Sequence, residues 1–254
     1  MSNLLFNLFK ADYIKAKRTG FYLSIFSMPL LITLLFLLWC FFMPYNSFNI
    51  LHSYLIVLTI ASPIMISVTT CLFFHIEKKC GNYKELLSTK YTRKLLLISK
   101  LVFYIFFYLI SIFIPITLFY LFFNLLGNPY LFTTSNYLFL LFIIASGQLI
   151  IILFHTWIGI KYEKGIGIGI GIGIVATFIN AMMMTELGNG IWKYFPTTWS
   201  VIPSHIFLLC HKGEYLTLPI CIADIRNMIF YSTGFTLIGF VLLLFWFSKY
   251  EDTK

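Results

Sequence analysis

Charged side chains are scarce in this sequence, at 11% of 254 residues, where a soluble domain carries roughly 25%. With so little polar cover, a water-exposed globule, a fibre and a disordered chain are all excluded. Long apolar runs take the place of the missing charge: 60% of the residues are hydrophobic and 20% aromatic, giving a mean hydropathy of +0.90. A bilayer core is crossed by about 20 apolar residues in a helix. Runs of that size lie at 21–43, 51–74, 101–123, 137–160, 165–184 and 228–247. The chain therefore reads as an all-α integral membrane protein of six transmembrane helices in a single unit over 1–254. An amphipathic arm is predicted over 1–20, helices 1 to 3 over 21–125 with a loop at 77–100, helices 4 and 5 over 137–184, an outer loop at 185–227, and helix 6 over 228–248. The first apolar run follows a charged stretch and lacks a small-residue cleavage site, so no cleavable signal peptide is expected.

Chemistry-bearing motifs are missing too. There is no Walker A sequence, no His-Glu-x-x-His and no Gly-x-Ser-x-Gly, so neither an ATP site nor an intramembrane enzyme is expected on this chain. None of the six apolar runs contains Asp, Glu, Lys or Arg. A proton- or ion-coupled carrier normally keeps a titratable group at mid-depth, and that class is disfavoured. His52 and His155 stand near span ends, where a packing or interfacial role outweighs a proton relay. No metal site is assigned, because His205 and His211 lack ligand spacing and a neighbouring carboxylate. Of the five cysteines, Cys210 and Cys221 share the outer loop, and a disulfide and two free thiols are both open.

The few charges are arranged by side. Lys10, Lys15, Lys17 and Arg18 precede the first span. Seven more basic residues, from Lys78 to Lys100, fill the loop after the second. Lys161 and Lys164 follow the fourth, and Lys249 and Lys254 close the chain. Only Lys193, Lys212 and Arg226 remain for the other side, and the loops at 44–50 and 126–136 carry no charge. The positive-inside rule then puts both termini in the cytoplasm. The surplus of +9 reads as topology, with no nucleic-acid partner.

Within the spans, Pro29, Pro63 and Pro115 each remove a backbone donor, for shape or for a hinge. The Gly-Ile alternation from Gly165 would suggest a strand in water. In hydrocarbon an open strand leaves its backbone unsatisfied, so a helix is expected. Gly165, Gly169 and Gly173 then form a small-xxx-small stripe for close helix packing. In the outer loop, Trp192, Phe195 and Trp199 belong to an aromatic cluster, which suits an interfacial belt or a surface that contacts cargo.

The loop at 77–100 reads EKKCGNYKELLSTKYTRKLLLISK. Glu77, Gly81, Leu86, Leu87, Arg93 and Lys100 stand at the spacing of the coupling region of type-2 ABC exporter permeases, which this chain resembles. Asn82 takes the place of the usual Thr, and Lys90 that of a common Pro. The arm, with Asp12, Lys15, Lys17, Arg18 and Thr19 before the first span, resembles that of the lantibiotic-immunity permeases. The resemblance implies that the element carrying Glu77, Gly81, Lys84, Glu85, Leu86, Leu87 and Arg93 fits a groove of a cytoplasmic ATP-binding subunit. It also implies two such subunits holding ATP and Mg, a second permease chain, and a lantibiotic-like peptide cargo expelled from a bacterial cell membrane. The alternatives are a permease for another drug, peptide antibiotic or polysaccharide precursor, and a non-transporting membrane scaffold.

Overall fold

The computed structural model describes residues 2–42, 47–79, 92–125, 133–162, 164–212 and 218–250. Gly81, Lys84, Glu85, Leu86 and Leu87 lie outside the described residues, as do Cys80 and Lys254, and so do the side chains of Glu77 and Cys221. The helices are α1 (Ser2–Lys17), α2 (Phe21–Phe42), α3 (Ser47–Lys79), α4 (Arg93–Leu125), α5 (Thr134–Lys161), α6 (Gly165–Met183), α7 (Val201–Lys212) and α8 (Leu218–Ser248). Three short 3-10 turns, Glu186–Gly188, Trp192–Tyr194 and Pro196–Trp199, join α6 to α7. Among the described residues there is no strand, and six helices are long and apolar enough to cross a membrane. The chain is an all-α, multi-pass membrane protein.

These helices form because hydrocarbon offers no partner to a backbone amide, so each crossing segment must satisfy its own. At 1.5 Å per residue, α2 is about 33 Å long, enough for a bilayer core, whereas the 33-residue α3 and α4 reach about 50 Å. The end that carries α1 is called here the arm end. The opposite end, where the 3-10 turns lie, is the turn end. Several boundaries differ from the sequence reading. α4 begins at Arg93 and not near 101, and α8 begins at Leu218 and not near 228, so helix occupies ground expected to be loop at both places.

α3 is the central stave. Of its most apolar stretch 61% is buried, against 17% for α2 and α8, because α2, α4, α5, α6 and α7 surround it. The outer helices keep broad apolar faces, with Leu23, Phe41, Phe42, Phe178, Phe230 and Leu237 exposed, as hydrocarbon permits. Neutral hydroxyl bonds cross-link the interior. Thr33 Oγ1 donates to the Pro29 carbonyl (2.8 Å), leaving the Tyr54 hydroxyl to donate to Thr33 (2.9 Å). Tyr104 stands in the same relation to Thr69 (2.7 Å), and Tyr108 donates to Gln148 Oε1 (2.8 Å). The three tyrosine bonds each join two helices without placing a charge in the bundle.

Candidate functional site

The arm end brings together two stretches that are far apart in sequence. α1 lies along α4 because Phe9 inserts its ring among Phe103 (4.8 Å between centroids), Phe106 (5.8 Å) and Phe107 (6.4 Å). Thr19 donates to the Ala16 carbonyl at 2.8 Å and accepts from Phe21 N at 3.4 Å, closing the turn between α1 and α2. This seating places Asp12 against Lys100, 88 positions later, with Nζ to Oδ1 at 2.7 Å. Both side chains are buried, 8% and 6% exposed, and the ammonium also stands 5.8 Å from the Phe73 ring centre. An ion taken out of water is tolerated only when paired. Asp12 therefore licenses Lys100 inside an aromatic shell, and α4 can begin at Arg93.

Arg93 makes the next join, donating from Nη1 to the Tyr250 carbonyl at 2.9 Å. It fixes the start of α4 to the chain just past α8. Lys17 and Arg18 are exposed and Lys15 is half-buried. The end of α3 at Lys79 and the start of α4 at Arg93 thus flank the 80–91 segment at the same end as the arm.

Gly165, Gly169 and Gly173 are buried along one side of α6. A Cβ on Gly169 would strike Cys71 Sγ and one on Gly173 would strike Ser67 Oγ, both on α3, while Gly165 lies against Ile158 and Gly159 of α5. Gly167 and Gly171 have nothing within 4 Å of that position, so the close approach uses only one of the two glycine rows.

At the turn end the chain folds back into the bundle. A Cβ on Gly147 would collide with the backbone of Trp199 and Ser200. Gly147 lies about 20 Å along α5 from its first residue, at 1.5 Å per residue. Non-helical backbone survives at such depth only where protein covers and satisfies it. Here Thr198 Oγ1 donates to the carbonyls of Trp192 (2.7 Å) and Phe195 (2.8 Å), and Trp199 Nε1 donates to Lys193 O (3.0 Å). Gly190 takes the left-handed conformation (φ 79°) that the turn requires. Trp192 and Trp199 are buried and build this turn, and Phe195 is half-buried. The exposed apolar side chains here are Leu187, Ile191 and Tyr194, which composition cannot separate from their buried neighbours.

One further join at the turn end has no signal in the sequence, and another, at Cys210, is left open by it. His52 Nε2 and His205 Nδ1 share a hydrogen bond at 2.8 Å, uniting α3 with α7. Burial, with the His52 imidazole adding to it, pushes the His205 pKa down to about 4. Cys210 is disulfide-bonded, and Cys40 and Cys71 are free thiols. Among the described residues no group of three or more His, Cys, Asp or Glu side chains is placed to hold a metal ion.

No protein-family model, no curated protein and no solved structure matches this chain.

Proposed function

We propose that this chain is the permease subunit of an ATP-driven type-2 exporter, and that its cargo is a lantibiotic-type antimicrobial peptide expelled from the membrane for self-protection. The observation that carries the reading is the buried Asp12–Lys100 pair. It joins the arm motif to α4, whose first turns, 93–100, are the described end of the stretch that resembles an exporter coupling region. A push on Glu77, Lys84, Glu85, Leu86 or Leu87 by an ATP-binding subunit would reach α4 and, through Phe9 and Asp12, the arm. In this reading ATP and Mg stay on two partner ATPase subunits, and a second permease chain completes the pore-forming pair.

The arm end is then cytoplasmic, in a bacterial cell membrane. Its clustered basic residues follow the positive-inside pattern, and the half-cystine at Cys210 suits an oxidising space beyond the turn end. The folded-back turn, with Leu187, Ile191 and Tyr194 exposed, is the surface we assign to cargo. Uncharged, aromatic-rich staves suit an amphipathic peptide taken sideways from the outer leaflet.

The reading is tested in cells expressing this chain with its ATPase and second permease. They should survive higher lantibiotic concentrations than cells lacking this chain, and equal sensitivity would contradict the cargo assignment. An impermeant thiol reagent on whole cells should label Tyr194→Cys but not Lys164→Cys, and the reverse pattern would overturn the orientation.

A further inference from the structure

The first turns of α5, the end of α7 and the start of α8 do not close against one another at the turn end. They leave a groove of about 700 Å³, within the ~300–1,000 Å³ range of small-molecule sites. Its bed is apolar, built from Phe139, Phe207, Ile225 and Ile229. Three polar side chains converge on it, one from each helix: Asn136, His211 and Arg226. An apolar body with a few convergent polar groups is the usual make-up of a ligand site.

Among the described lining residues the formal charge has one sign, that of Arg226. Asp224, two positions before Arg226, is engaged by Lys193 at 3.9 Å. Among the described residues no carboxylate pairs with Arg226. A guanidinium offers a planar fork of donors that fits the oxygens of a phosphate. A cationic amphiphile would set like charge against it. The occupant that satisfies both bed and rim is an amphiphile with an anionic head and a hydrocarbon tail, and the bilayer around these helices supplies one.

We propose that this groove binds an anionic phospholipid, its phosphate held by Arg226 beside Asn136 and its acyl chain laid on Phe139, Phe207 and Ile229. The site stands apart from the arm end, and its existence does not depend on the exporter reading.

The test is native mass spectrometry of the purified full chain in detergent, with phosphatidylglycerol or phosphatidylcholine added. Wild type should retain phosphatidylglycerol about tenfold better than phosphatidylcholine, which offers the same phosphate but neutralises it with its own trimethylammonium and sets that like charge against Arg226. Arg226→Gln should erase that preference, whereas Lys164→Gln, which removes one cation at the opposite end of the bundle, should keep it. Ile229→Trp, which fills the bed, should lower retention of both lipids. Equal retention of the two lipids by wild type would overturn the proposal, as would a preference that survives Arg226→Gln. Displacement of the bound lipid by a cationic amphipathic peptide more readily than by excess phosphatidylglycerol would do the same.

Discussion

At the arm end, beside the aromatic packing of Phe9 on α4, two of the joins between separate parts of the bundle carry formal charge: Asp12 with Lys100, and Arg93 with the carbonyl of Tyr250. At the turn end they are neutral or steric: the Trp199–Ser200 backbone on Gly147, His52 on His205, the Trp199 indole on the Lys193 carbonyl. The one described ion pair there, Lys193–Asp224, is 3.9 Å long and solvent-exposed, and such pairs contribute little. A buried charged join is lost whole when either partner goes, because the survivor is stranded in low dielectric. A steric join fails in proportion to the volume forced into it. The two ends should therefore answer to different substitutions, and that contrast can be broken experimentally.

The largest effect is expected from the ion pair. Asp12→Asn or Lys100→Met alone should cost about 3–5 kcal/mol, the range for stranding one member of a buried pair. The double substitution should recover most of that, read as thermal unfolding in detergent micelles. A double variant as unstable as the sum of the singles would show that the two groups act independently. Next comes Gly147→Ala. An alanine gains about 1 kcal/mol of helix propensity over glycine, yet backbone stands in the way of its methyl, so a net loss of about 2 kcal/mol is expected. Gly167→Ala meets nothing and should leave stability level or raise it by up to ~1 kcal/mol. If the two alanines behave alike, the close approach at Gly147 is not what seats the turn.

The smallest effect concerns pH. The His205 pKa is about 4 in the folded protein and near 6.5 in an unfolded chain. The unfolded state thus binds the proton first as pH falls. The stability tied to neutral His205 is complete above about 6.5 and is lost progressively toward pH 4. The unfolding temperature should decline over that window, and His205→Gln should flatten the decline. A wild-type curve unchanged by the substitution would remove His205 from the turn-end account.

The six spans were legible because apolar length alone decides what crosses a bilayer. Their ends were less so. In 93–100 the sequence shows basic residues at each end of an apolar run, which reads as loop until Asp12 neutralises Lys100 and the run becomes the first turns of α4. Asp12 and Lys100 were each marked in sequence, but no local pattern joins positions 88 apart. The glycines of α6 were visible as a row, while Gly147 stands alone in an apolar run. In the turn, Trp192 and Tyr194 look equivalent by composition. Their opposite exposures follow from a backbone that doubles back, which no periodicity encodes.

In the function proposed above, the arm end meets an ATP-binding subunit. Affinity capture of the chain from its native membranes, followed by identification of what comes with it, tests this most directly. The account predicts an ATP-binding subunit recovered with wild type and depleted when Glu77, Leu86 and Leu87 are replaced together by alanine. Recovery of the chain without any nucleotide-binding protein, or undiminished recovery of that subunit with the triple variant, would contradict it.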